Sequence, residues 1–306
     1  MNIFPAPPTG PLLVVGRQGQ LATDLVAAGG RLGRPLVALG RPELDLTSPD
    51  GVARALDRVA PRAVINAAAY TNVDRAESEP DLAFAVNRDG PAALARACAA
   101  GAIPLVHVST DQVFDGRRAG GHREEDAPNP LCLYGRSKLE GEQAVAAAGG
   151  NALTVRVSWV FGPSADNFVK KVLAWARARD TLRIVSDQRG RPTYSPDLAE
   201  ALIRLACRMG RPDGPRGLLH VAGASVMTRD EQARMVIEDS VARGGPVARI
   251  EPVPTRDFPT PAARPLNAEL DVSRAAESWG IRLNPFGPDL AATLDHLLGP
   301  VRPTRP

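Results

Sequence analysis

From Pro11 to about Val157 the chain repeats one unit, a short apolar run followed by a longer stretch of helical periodicity. The runs are "PLLVVG", "PLVAL", "AVINAAA", "PLVHVS" and "LTVRVS". Helices are expected between them near Gly19–Ala28, Pro49–Val59, Asp81–Ala100 and Tyr134–Ala148. A strand that is apolar on both its alternating faces is covered on both, which is the condition of a parallel sheet between helix layers. Right-handed crossovers then prune the topologies, and the expected fold class is α/β, a doubly wound parallel sheet of Rossmann type. At 306 residues, the chain is long enough for that domain and a smaller lobe beside it.

After Phe161 the rhythm loosens. "DNFVKKVLAWARAR" reads as a helix, "LRIVSD" as a strand, and "SPDLAEALIRLACRM" as a helix opened by Ser195 and Pro196. Beyond Gly210 prolines and glycines multiply, as in "EPVPTRDFPTPAARP". Such segments are expected to give loops and short elements rather than a second independent core. The closing "VRPTRP" reads as a frayed tail.

Several function classes fall away on charge and composition. The formal charge is +3, with 37 basic and 34 acidic residues interspersed, so no basic face for nucleic acid is expected. Three cysteines, Cys98, Cys132 and Cys207, have no paired or metal-type spacing and read as reduced thiols. "MNIFPAPPTG" lacks the basic and apolar regions of a leader, and no apolar run approaches the roughly 20 residues that span a bilayer. A soluble protein of the cytoplasm, without membrane or nucleic-acid partners, is expected.

"VVGRQGQLA" follows the first strand and opens the first helix. Gly16 and Gly19 permit a tight turn and the close approach of a pyrophosphate, and Ala22 stands where helix and strand need a small residue. The helix start behind them offers free N–H groups to phosphate. Gly16 and Gly19 are therefore candidate contacts of a dinucleotide. The second strand ends in "VALGRPELDL". Where an acid would meet a free ribose 2′-hydroxyl stand Gly40 and Arg41, and Arg41 suits a 2′-phosphate. NADPH is accordingly expected ahead of NADH, the alternative being a merely solvated Arg41.

"STDQVFDG" precedes "YGRSK". Tyr134 and Lys138, spaced i and i+4, project from one helix face. A phenol has an unperturbed pKa of about 10, and a neighbouring ammonium is expected to lower it into the range of proton exchange with a carbonyl oxygen. Thr110, at the end of the preceding strand, can hydrogen-bond that same oxygen. Thr110, Tyr134 and Lys138 are the candidate catalytic set for carbonyl reduction.

These motifs resemble those of the extended short-chain dehydrogenase/reductases, and within them the dTDP-4-dehydrorhamnose reductase family. The similarity runs nearly end to end, through "ELDLTSP", "VINAAAYTNVDRAESEPDLAFAVN", "HVSTDQVFDG", "YGRSKLEGE", "VRVSWVFG", "DQRGRPTYSPDLA" and "RPLNAELD". The resemblance implies reduction of the 4-keto group of a dTDP-linked deoxysugar by NAD(P)H. It divides the chain into an NAD(P)-binding domain, 1–160, and a mainly substrate-binding lobe, 161–306, with some segments returning to the core. It adds Gln18, Gln20, Leu21, Asp45, Leu46, Ala67, Ala68, Ala69, Tyr70 and Thr71 to the cofactor site, together with Tyr134 and Lys138. Around the sugar it implies Thr110, Asp111, Gln112 and Trp159, and toward the diphosphate Asn167 and Arg264. Read as residues, Trp159 suits either a sugar face or a core, and Asn167 and Arg264 suit either the ligand or loop structure. Mg²⁺ at a dimer contact, and a homodimer, rest on the resemblance alone; no metal-ligand cluster is legible.

The chain departs from the family at Gln112, where the family usually has tyrosine, and at Gly40, where NADH-using members often carry an acid. Gln112 also bears on the alternatives. A 4,6-dehydratase of this superfamily needs an acid there, and an amide cannot serve. Another nucleotide-ketosugar reductase, an epimerase, or a non-catalytic regulatory subunit like the methionine adenosyltransferase β subunit are the remaining readings.

Overall fold

The computed structural model describes residues 10–301. The absence of a leader was read from residues that lie mostly outside this range, as does all of the frayed tail except Val301. The first half runs β1 (Leu12–Val15), α1 (Gln20–Arg31), β2 (Leu36–Leu39), α2 (Pro49–Val59), β3 (Ala63–Asn66), α3 (Val73–Ala76), α4 (Pro80–Phe84), α5 (Gly90–Ala100), β4 (Leu105–Thr110), α6 (Leu133–Ala147) and β5 (Ala152–Val157). The second half adds short strands β6 (Val160–Phe161), β8 (Arg189–Gly190), β9 (Thr193–Tyr194) and β11 (Met227–Thr228). With them come β7 (Thr181–Val185), β10 (Gly217–His220) and β12 (Arg249–Val253). Its helices are α7 (Phe168–Ala178), α8 (Ser195–Arg208), α9 (Arg229–Val241), α10 (Ser273–Trp279) and α11 (Phe286–Leu298).

The main sheet has the order β10-β5-β4-β3-β1-β2, every pair parallel. β1, β3 and the first part of β4 are buried on both faces, as the unbroken apolar runs require. The chain leaves β1 for β2 on one side and returns to β3 on the other. Their carboxyl ends therefore part at a topological switch point, where ligands of open α/β sheets bind. One layer of core joins α1 and α8 to the sheet through Leu25, Leu198, Leu202 and Leu205. The opposite layer joins α2 and α5 through Val52, Leu56 and Leu94.

Two expectations change. The helix read over Asp81–Ala100 is interrupted by a π turn at Ala85–Asp89. Pro91 has no N–H to give the Asn87 carbonyl, so the regular ladder cannot pass through that point. The Asn87 side chain takes the widened turn inward, donating to the Tyr70 carbonyl (3.0 Å) and the Ser137 hydroxyl (3.0 Å). Gly141 of α6 faces the same spot, and a Cβ there would sit 2.0 Å from the Asn87 carbonyl oxygen.

The second correction concerns the region beyond Gly210. It carries β10, which extends the parallel sheet beside β5, and also α9 and α11. These two helices pack with α7 around a separate core that holds Phe161, Val172, Ile184, Val236, Phe286 and Leu290. Phe161 and Phe286 meet edge to face at 5.1 Å. A second hydrophobic core exists because the prolines and glycines fall between the helices. α9 starts on a capping box, Thr228 and Glu231 bonding each other's backbone N–H.

Candidate active site

A cleft of about 730 Å³ opens at the switch point and continues toward the second core. At one end lie Gly16, Gln18, Gly19, Gln20 and Leu21, with Arg41, Asp45, Leu46 and the Ala67–Ala69 and Thr71 segment. At the other lie Thr110, Asp111, Gln112, Tyr134, Lys138 and Trp159. Tyr70, Asn167 and Arg264 do not line it. The Tyr70 phenol donates to Glu79 (2.7 Å). Asn167 caps α7 and donates to Gln20 (3.0 Å) and to the Gly162 carbonyl (2.8 Å). Arg264 forks onto Asp74 at 2.8 and 3.0 Å.

Thr110 closes β4, and the first turn of α6 brings Tyr134 to it. The approach is close because residue 135 is glycine: a Cβ there would lie 2.2 Å from the Gln112 carbonyl oxygen. Tyr134 is 8% exposed and Lys138 2%. Lys138 Nζ donates to the Val108 carbonyl (2.8 Å), which pins the ammonium against β4. Burial pulls the Lys138 pKa down to about 8, against the pull of Glu142. For the phenol the outcome is opposite to expectation. Burial, with Asp111 adding to it, pushes Tyr134 above the ordinary value, and the hydrogen bond with Thr110 only opposes this. Desolvation outweighs the Thr110 hydrogen bond and holds the phenol in its protonated form.

Asp111 is buried, with one oxygen accepting from Thr110 Oγ1 (3.0 Å) and the other from Ser158 Oγ (2.7 Å). Burial raises its pKa to about 6 against both hydroxyls and Arg229. Thr110 Oγ1 in turn accepts from the Gln112 N–H (3.2 Å). The hydroxyl is thus held on two sides, with one proton that Asp111 and an oxygen in the cleft can both take. The Gln112 amide oxygen meets the Cys132 thiol at 3.5 Å.

At the glycine turn, Gly16 has φ +117°, where side chains are strained, and a Cβ would come within 3.3 Å of the Ala68 nitrogen. α1 begins without a side-chain cap or an acid in its first turn, so its leading N–H groups face the cleft end unneutralised. Gly40 is hemmed in, since a Cβ there would stand 3.0 Å from Arg17 Cβ. Arg17 itself is taken by Glu43 at 2.6 Å. Among the described residues no group of three or more His, Cys, Asp or Glu is placed to hold a metal ion. No helix among them is long and apolar enough to cross a membrane.

The cleft also holds residues the sequence reading did not single out, above all Arg229, with Ala165 and Asp166. Arg229 lay in the stretch read as loops, although the "TRDE" capping signature that starts its helix was legible.

The RmlD substrate binding domain family matches residues 10–298. The dTDP-4-dehydrorhamnose reductase of Sinorhizobium fredii is 41% identical over 274 residues, covering 89% of this chain and 92% of that protein. That of Mycobacterium tuberculosis is 43% identical over 259 residues, covering 83% and 82%. Among solved structures, the dTDP-4-dehydrorhamnose reductase of Bacillus anthracis in complex with NADP superposes with a TM-score of 0.86 at 29% identity, covering 93% of this chain and 98% of that one.

Proposed function

We propose that this chain, which belongs to the dTDP-4-dehydrorhamnose reductase family, reduces the 4-keto group of dTDP-4-dehydro-L-rhamnose to give dTDP-L-rhamnose. The observation that carries the reading is the convergence of Thr110, Tyr134 and Lys138 on one cleft with the glycine turn. That turn fits a dinucleotide: Gly16 leaves room for close approach, and the uncapped start of α1 suits a pyrophosphate. When bound, a reduced nicotinamide supplies the hydride for the carbonyl carbon.

The chain supplies the proton and the alignment. Tyr134, kept protonated by burial, gives its phenolic proton to the oxygen as negative charge grows there. Thr110, held by the Gln112 N–H and Asp111, orients the same oxygen. Lys138, fixed on the Val108 carbonyl, keeps a positive charge near the phenolate left behind, which solvent reprotonates. Gln112 offers no acid for elimination, in keeping with a reductase rather than a dehydratase.

NADPH is the expected cofactor. Gly40 carries no acid to take the 2′-hydroxyl, and Arg41 lines the cleft beside it. Arg41→Ala is expected to raise KM for NADPH about tenfold, the loss of one charge-assisted contact at an exposed site, and to leave KM for NADH nearly unchanged. Equal effects on both cofactors would remove Arg41 from the 2′ position.

A pH profile follows from Lys138. Its folded pKa of about 8 lies below the ordinary lysine value, so the ammonium is present below that pH and lost as pH rises through it. kcat/KM for reduction is expected to fall on the alkaline side of about 8, well before a free lysine would titrate. A flat profile to pH 10 would contradict the role. The reading as a whole is tested by mixing the protein with dTDP-4-dehydrorhamnose and following NADPH and NADH absorbance separately. Oxidation coupled to dTDP-rhamnose formation is the expected result, and no oxidation with either cofactor would remove the reading.

A further inference from the structure

Arg229 opens α9 and reaches into the cleft from the second lobe, far along the chain from Thr110 and Tyr134. Its guanidinium stacks on the Trp159 ring, 3.5 Å from the centroid, and faces the Phe168 ring at 4.7 Å. One end is fixed by Nη1 donating to Gln232 Oε1 (3.0 Å), and Gln232 is itself fully buried. The Trp159 ring is free to lie where it does because residue 190 is glycine; a Cβ there would come within 2.5 Å of the ring. Two lobes therefore combine to hold one flat cation rigidly at the wall of the cleft.

No carboxylate among the described residues pairs with it. The acid acting on it is Asp111, which forms no ion pair with it and accepts instead from the Thr110 and Ser158 hydroxyls. Arg264 adds positive field from nearby, but its own fork is spent on Asp74. Arg229 is half-buried with no anion paired to it among the described residues, and a fork with unused N–H groups suits a planar or tetrahedral oxyanion.

We propose that Arg229 takes the diphosphate of the nucleotide-sugar substrate in the cleft that Thr110 and Tyr134 also line. The proposal rests on the reductase reading for its substrate class. In a hexopyranose, C1 and C4 lie opposite each other across the ring. An anchor on the C1 diphosphate therefore directs the C4 carbonyl away from Arg229. Arg229 is a specificity-determining residue in this scheme, and uncharged or unphosphorylated sugars would lack its contact.

The test measures binding without turnover. Wild type, Arg229→Gln and Arg229→Lys are titrated calorimetrically with dTDP, dTMP, thymidine and NADPH. The Gln variant is expected to bind dTDP roughly 10- to 100-fold more weakly, with thymidine and NADPH unchanged and the Lys variant in between. Equal weakening of dTDP and thymidine would mark a merely structural role and overturn the proposal, as would dTDP binding that ignores the substitution. Retained NADPH binding certifies the fold. Should the Gln variant lose it, the Lys variant decides, and dTDP affinity equal to wild type, or thymidine weakened as much as dTDP, overturns the proposal. Wild type that binds dTDP through Arg229 yet reduces no dTDP-4-dehydrorhamnose would keep this inference and remove the proposed reaction.

Discussion

Tyr134→Phe is expected to lower kcat by roughly a thousandfold while leaving NADPH binding within a factor of two, because the variant loses one oxygen and its proton and nothing that holds the fold. Tyr134 makes its packing contacts through the ring, among Ala76, Ala83, Cys132 and Ala262, and phenylalanine keeps them. The hydroxyl is the group that can protonate the carbonyl oxygen, and burial holds it in the protonated form needed for donation. Thr110 stays in place, since its partners are Asp111 and the Gln112 N–H, so the residual rate reports positioning and hydride transfer without an acid. Stopped-flow reduction with NADPH and a separate titration of NADPH fluorescence check the two halves. A variant that retains more than a tenth of wild-type kcat would sink Tyr134 as proton donor.

Glu142→Ala is expected to destabilise the protein by roughly 3–5 kcal/mol, the largest loss we foresee for a residue that does not line the cleft. Glu142 and Arg156 are 8% and 3% exposed and meet through Nε–Oε1 at 2.9 Å and Nη2–Oε2 at 2.7 Å. Removing the carboxylate leaves Arg156 buried against the Phe114 ring at 4.9 Å, with His220 at 3.5 Å as its remaining side-chain hydrogen-bond neighbour among the described residues. His220 offers no charge relief, since burial and Arg156 together push its pKa down to about 3. Chemical denaturation midpoints measure the loss. The double variant Glu142→Leu/Arg156→Met is expected to regain much of it, because an apolar pair needs no solvation. Glu142 also helps hold the proton on Lys138, so in any folded Glu142 variant the alkaline limb of the pH profile moves to lower pH. A midpoint unchanged from wild type would show that the ion pair is not what stabilises this layer.

That Thr110, Tyr134 and Lys138 would share one cleft was legible because their positions follow from a strand end and a helix start. Thr110 ends an apolar run, Tyr134 and Lys138 are one helical turn apart, and the carboxyl edge of a parallel sheet brings such positions together. The glycine turn was legible for a similar reason, since φ +117° at residue 16 demands glycine. Asn167, Arg264 and Tyr70 sit in family motifs too, but their side chains are spent on a helix cap, on Asp74 and on Glu79. Which partner a polar side chain finds is decided by residues distant in sequence, and spacing does not encode that.

Periodicity along the chain determined the α/β class and the parallel sheet, because apolar runs and helical spacing record backbone hydrogen bonding and which face is covered, and short motifs marked the glycine turn and the candidate residues Thr110, Tyr134 and Lys138. Only the tertiary structure decided the direction of the Tyr134 shift, the second core beyond Gly210, and the reach of Arg229 into the cleft. All three depend on what surrounds a group once the chain has closed on itself. Desolvation, long-range packing and the pairing of buried charge are properties of that surrounding volume, not of neighbours in sequence.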